Sequence, residues 1–297
     1  MIHDSGRDWR DASARRVMLF GMSGLGKTHI ASMLRRSGDW FHYSVDYRIG
    51  TRYMGELIAD DFKRHAMQVP LLRELLLTDS VRIESNITFD NLAPLSTYLG
   101  KPGNPSRGGL AFDEYKKRQN QHRTAEIAAM ADSGHFIERA RALYGYGNFV
   151  CDTSGSICEV VDPDTPADPL LERLSALMLP IWIRGTEAHT AELVRRFDRA
   201  PKPMYYQPAF LRAAWADYGR EHPGPVDPDG FIRWAYARAL AHRQPRYAAM
   251  ARHGVTVAAD DIARVETPGD FIDLIADAID ARACAAQPLH LQAKGTA

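Results

Sequence analysis

What the sequence has little of narrows it first. Its three cysteines, Cys151, Cys158 and Cys284, are odd in number and lack close metal-ligand spacing. No disulfide framework is indicated, and a reducing cytoplasm is the simpler expectation. The eleven histidines form no H-x-x-x-H or other metal pair, so no zinc site is expected. No run reaches the roughly 18 apolar residues of a membrane helix. The longest, LSALMLPIWI (174–183), is short and holds a proline. The opening MIHDSGRDWRDASARR is polar and has no apolar core of a signal peptide. Neither charge sign is in excess: 37 basic residues balance 37 acidic ones. That balance argues against a global attraction to nucleic acid or an anionic membrane. There is no internal repeat, no low-complexity block and no G-x-S-x-G elbow of a serine hydrolase.

What is present fits one large or two modest globular domains: 297 residues, 45% hydrophobic and 25% charged. Short apolar runs at 17–20, 40–45, 148–152, 176–183 and 254–257 read as strands. Helical patterns at 29–36, 55–65, 70–77, 112–133, 135–144, 187–197, 232–242 and 270–284 separate most of them. Strands alternating with helices predict an α/β fold with a parallel sheet. The first strand runs into Gly21-Met22-Ser23-Gly24-Leu25-Gly26-Lys27-Thr28, which satisfies G-x-x-x-x-G-K-[ST] between a strand and a helix. Chance would place its four fixed positions in roughly one chain in a hundred of this length. The motif's chemistry is a backbone cradle for nucleotide phosphates. Lys27 reaches the β- and γ-phosphates, and the Thr28 hydroxyl serves Mg2+.

Other segments narrow the kind of nucleotide protein. No N-K-x-D stretch for guanine is present. The strand NFVCD (148–152) ends in Asp152, placed to hold magnesium, but Thr-Ser-Gly follows it. With no adjacent glutamate to polarise water, transfer to another acceptor is favoured over hydrolysis. Asp46 lies just past the second strand, at the carboxyl edge where open α/β sheets bind ligands, and is a candidate base. Arg48 and Arg52 follow it as a candidate clamp for a carboxylate or phosphate. The helix EYKKRQNQHR (114–123) is basic but interleaved with acids, which reads first as a solvated face.

The phosphate loop, SVDYRIGTR after the second strand, PIWIRGTEAHTAELVRRFDRAPKP (180–203) and HRQPRYAAMARHGVTVAADDIARVETPGDFIDLIADAI (242–279) together resemble the P-loop small-molecule kinases. These are the shikimate and gluconate kinases and their nucleoside monophosphate kinase relatives. The resemblance spans 15–50 and 145–280, and only the phosphate loop is specific. It implies a P-loop three-layer α/β sandwich with a mostly parallel five-stranded sheet, and ATP with Mg2+ as cofactors. It also implies a lid at about 195–230 with a catalytic arginine among Arg195, Arg196 and Arg199, Arg196 or Arg199 being preferred. Arg243 and Arg246, around Pro245, are similar to the arginine that stacks on adenine, Arg246 being preferred, and an ordinary exposed loop is the alternative. The departure is 51–145, longer than the shikimate kinase insert and without a matching signature.

The resulting expectation is a kinase core at 15–50 and 146–285, an inserted helical substrate-binding region at 51–145, and flexible termini at 1–14 and 286–297. The function is transfer of the γ-phosphoryl group to a small, anionic acceptor held by Asp46, Arg48 and Arg52. Two rivals stand beside it. One is an ATPase or regulatory module with a protein partner; the other is a nucleic-acid end kinase using 114–123. Oligomeric state is not legible.

Overall fold

The computed structural model describes residues 3–163, 165 and 168–286. Five strands, β1 (Arg16–Phe20), β2 (Trp40–Ser44), β3 (Asn148–Asp152), β4 (Leu179–Arg184) and β5 (Val255–Ala258), form one sheet in the order β2-β3-β1-β4-β5. Every neighbouring pair is parallel. Among the described residues, fifteen α-helices run in chain order. The first eight are α1 (Gly6–Asp11), α2 (Lys27–Arg36), α3 (Val45–Arg48), α4 (Gly55–Ala66), α5 (Pro70–Leu77), α6 (Ala93–Leu99), α7 (Phe112–Ala131) and α8 (Ser133–Tyr144). Then come α9 (Ile157–Val160), α10 (Pro169–Leu177), α11 (Glu187–Arg199), α12 (Pro208–Glu221), α13 (Pro228–Ala251), α14 (Ala259–Ile262) and α15 (Pro268–Ala286). A π-turn, Ile49–Tyr53, links α3 to α4.

The sheet is central because its strands are apolar on both faces. Val17, Met18, Leu19 and Phe20 are each fully buried, as in parallel sheets covered on both sides. Successive residues of β2 show the two layers. Phe41 and Tyr43 meet Phe136 of α8, whereas Trp40 packs edge-on against Phe271 of α15. Neighbouring strand residues point to opposite faces, so α8 and α15 lie on opposite sides. The fold is a P-loop three-layer α/β sandwich.

The segment 51–145 does not carry a core of its own. Ile58, Ile87, Leu95, Tyr98 and Ala129 belong to the main apolar core. A second, smaller core joins Tyr115 of α7 to Tyr206 and to Leu211, Tyr218, Phe231 and Ile232 of α12 and α13.

Two sequence expectations change. Residues 6–11, placed in a flexible terminus, form α1 docked on α15. Trp9 is fully buried and its indole donates to Ile272 O at 2.9 Å, while Gly6 N donates to the Asp280 carboxylate at 2.7 Å. The fourth strand begins at Leu179 instead of 176, because Asp168 caps α10 and Pro169 occupies its first turn. Pro208 and Pro228 start α12 and α13, with Gln207 and Asp227 accepting the capping bonds. The expected tail 286–297 lies, beyond Ala286, outside the described residues.

Candidate active site

The phosphate loop lies between β1 and α2, so the sheet's carboxyl edge and a helix N-terminus face one space. Gly24 and Gly26 have φ of +85° and +97°, the left-handed region that admits glycine without strain. Gly26 is the N-cap of α2 and no side chain caps that end, which leaves first-turn N–H groups for an anion. Lys27 folds back over the loop. Its ammonium donates to Gly21 O and Met22 O, each at 2.9 Å, and burial lowers its pKa. Ser23, Gly24, Gly26, Lys27, Thr28 and Asp46 line a cavity of about 260 Å³. Leu25 is buried and contributes backbone to the same turn.

Two carboxylates stand at the sheet edge. Asp152 ends β3 beside Leu19 of β1 and Ser44 of β2, and His42 Nε2 approaches it at 3.8 Å. Asp46 follows β2 in α3, whose first turn Ser44 caps. Burial first, then the negative charge of Asp152, pushes the Asp46 pKa up to about 6, while Lys27 opposes the shift. The Thr28 hydroxyl with the Asp152 carboxylate offers hard oxygen donors in small number. That set fits Mg2+, which takes one or two carboxylates and keeps waters and phosphates for the rest. Among the described residues no group of three His, Cys, Asp or Glu side chains forms a metal cage.

A second cavity of about 310 Å³ opens beside the first, and the two share Ser23, Asp46 and Gly155. Gly155 approaches the loop closely there: a Cβ would stand 2.7 Å from Ser23 Oγ. One wall is apolar, with Leu92, Leu95 and Leu99 facing Phe197, Tyr236 and Leu240. Phe197 and Tyr236 stack with centroids 3.8 Å apart. The floor is polar and was not anticipated from sequence. Glu126 of α7, fully buried, accepts from the Ser154 hydroxyl and from Ser156 Oγ at 2.8 Å. Burial pushes its pKa up to about 7. His122, one turn earlier, lies 3.6 Å from Glu126 and stacks on Tyr205; burial pushes its pKa down to about 4. The signal was the i, i+4 spacing of His122 and Glu126 within the basic helix, together with Ser-Gly-Ser at the end of a buried strand.

The structure brings Gly21, Ser23, Gly24, Gly26, Lys27, Thr28, Asp46 and Asp152 to one edge of the sheet, and most of the expected arginines have other partners or lie exposed. Arg48 donates twice to Asp132, at 2.8 and 2.7 Å, and sits over Phe136, so its charge is spent away from both cavities. Arg52 is exposed on the π-turn. Arg246 donates to Cys158 O and Val161 O, bracing α9 instead of facing a base. Arg243 is buried and bonds Glu159 at 2.9 Å and Tyr205 O at 2.7 Å. Arg196 pairs with Glu192 at 2.9 Å, and Arg199 is exposed in the last turn of α11. In the basic helix, Lys116 and Lys117 pair with Asp113 and Glu114, and Arg118 is buried against Asp61.

The chain is thus built on a P-loop fold, with an anion cradle and a second cavity meeting at one carboxylate. No family model matches it, and no curated protein matches it. A solved structure of shikimate kinase from Bacteroides thetaiotaomicron aligns with 91% of this chain and 96% of that chain, at 13% identity and a TM-score of 0.39. That likeness is too loose to carry substrate or mechanism to this chain. No helix among the described residues is long and apolar enough to cross a membrane.

Proposed function

We propose that this chain is an ATP-dependent phosphotransferase that moves the γ-phosphoryl group to the hydroxyl of a small molecule. One observation carries the reading: the phosphate cradle and the second cavity meet at Asp46, with Ser23 and Gly155 common to both walls. A hydroxyl seated in the second cavity faces the phosphates beside a group able to take its proton.

The roles follow from position. The loop amides and Lys27 hold the β- and γ-phosphates, and the ammonium exchanges its bonds with Gly21 O and Met22 O for phosphate oxygens. Thr28 and Asp152 would hold Mg2+, which when bound neutralises phosphate charge. Asp46, ionised above about pH 6, orients the acceptor and receives its proton. Arg196 or Arg199 supplies positive charge from α11. Its inner face already touches the loop, where a Cβ on Gly24 would meet Leu193 Cδ2 at 2.9 Å. Releasing Arg196 from Glu192 costs little, since exposed pairs contribute about 0–1 kcal/mol. Phe197, Pro203, Met204 and Tyr205 cover the second cavity, and this cover excludes water that would otherwise take the phosphoryl group.

The test is ADP release from Mg-ATP with and without a panel of alcohols, nucleosides, nucleotides, sugar acids and short oligonucleotides. One small compound is expected to raise turnover by about a hundredfold. Lys27→Ala is expected to lose at least about a hundredfold of that turnover. A second reading, an ATP-binding regulatory module with a protein partner, is favoured by α5. No residue of that helix is buried, and Leu71 and Leu77 are 64% and 67% exposed. Slow ADP release indifferent to every compound would move that reading ahead.

A further inference from the structure

The charges around the second cavity are already spent, and that bears on what the cavity admits. Arg243 reaches the lining but is paired with Glu159 and Tyr205 O. His122 is held neutral by burial. Glu126 is held toward its neutral acid and is occupied by two serine hydroxyls. Arg48, the cation the sequence offers for an anionic acceptor, belongs to Asp132. Asp46, beside the phosphates, repels anions when ionised. Lys202 is the remaining cation among the lining residues, and it is exposed at the rim. An anionic group inside would be buried without a partner, which costs far more than burying a hydroxyl that finds hydrogen bonds. The walls, by contrast, are leucines and stacked aromatic rings suited to an apolar body.

We propose that the acceptor is an uncharged alcohol with an apolar, ring-sized body. It enters hydroxyl first, its hydroxyl reaches Asp46 where the two cavities meet, and its body lies between Leu95, Leu99 and the Phe197–Tyr236 pair. This rests on the phosphotransferase reading and names its substrate class. In the transfer, the alcohol oxygen bonds the γ-phosphorus as its proton passes to the Asp46 carboxylate. The bond from that phosphorus to the bridging oxygen breaks, and ADP leaves with the electron pair.

The experiment measures binding apart from turnover. Benzyl alcohol and benzoate, and 1-naphthylmethanol and 1-naphthoate, are titrated by ligand-observed NMR into the full chain with Mg2+ and a non-hydrolysable ATP analogue. Each alcohol is expected to bind at least about tenfold tighter than its carboxylate. Leu95→Trp, which fills the cavity, is expected to abolish alcohol binding while the ATP-analogue affinity stays within about twofold. Retained analogue affinity shows that the variant is folded. Tighter binding of the carboxylates, no binding of either member, or alcohol binding indifferent to Leu95→Trp overturns the proposal. ADP release is then read on the alcohols that bind. Binding without any phosphorylated product leaves the ligand class standing and sinks the phosphotransferase reading. Transfer to carboxylate-bearing acceptors alone does the reverse.

Discussion

Asp46 and Glu126 are two carboxyls that burial treats alike and position treats differently. Asp46 meets the phosphate cradle, and its pKa of about 6 arises first from burial and then from Asp152. As a base it works ionised, so kcat/KM should rise with pH through about 6, the limb that reports the free enzyme. Asp46→Asn should remove that limb along with most of the activity. Glu126 and His122 make a different statement. In the unfolded chain, between pH 4.5 and 6.5, the carboxylate is bare and the imidazole holds one proton. In the fold the acid keeps its proton up to about 7 and the imidazole stays neutral down to about 4. The pair binds one proton in either state, so its contributions to the pH dependence of stability cancel across that window. Glu126→Gln leaves the depressed histidine alone, and stability relative to the parent should fall by about 1.4 kcal/mol for each unit the pH drops from 6.5 toward 4.5. His122→Phe should reverse the slope, with stability falling as pH rises. Urea titrations at several pH values check both signs. Two variants with the same slope would mean that the pair is ionised. Motif spacing exposed Lys27 and Thr28 because their chemistry is local in sequence. Glu126 and Ser154 stayed hidden because their contact joins α7 to the end of β3, which no local pattern records.

At the scale of elements, helices with a strong apolar stripe or a fixed motif were legible and those held by distant partners were not. The strand–loop–helix of β1 and α2 needed only residues 16–36. The helix α1 has six residues and a single large apolar side chain, Trp9, and the helix it docks on, α15, starts at Pro268. A short segment with no periodicity reads as a frayed end. Trp9→Ala should nevertheless cost about 3–5 kcal/mol in urea unfolding, because the ring is fully buried and its N–H is bonded to Ile272 O. A cost below about 1 kcal/mol would show that α1 is dispensable. Pro245 lies inside the 24-residue α13, where the resemblance would set Arg246 against adenine. There Arg243 and Arg246 brace Glu159 and the carbonyls of α9, which fixes the turn that carries Ser154 and Ser156. The cover over the second cavity is likewise tied down. Gln119 of α7 accepts from Tyr206 N at 2.9 Å and donates to Met204 O, which fixes the end of the segment 202–205.

At the scale of the whole molecule, strand–helix alternation was enough to foresee a parallel sheet, because each crossover must pack back on the face it left. The site needed more. The second cavity is lined by α6, α11, α13 and the segment 202–205, and only the folded chain brings these within reach of the phosphate loop. The clamp for an anion foreseen at Arg48 is engaged elsewhere for the same reason: Asp132, eighty-four positions away, takes the guanidinium. The central claim is that the γ-phosphorus goes to a hydroxyl and not to water. The measurement that tests it most directly is phosphorus NMR of the full chain with Mg-ATP and a bound alcohol, following where that phosphorus ends. The account predicts a new phosphomonoester signal growing in step with ADP, absent with Lys27→Ala and suppressed with Asp46→Asn. Inorganic phosphate growing in step with ADP, with no ester formed for any acceptor that binds, would contradict it.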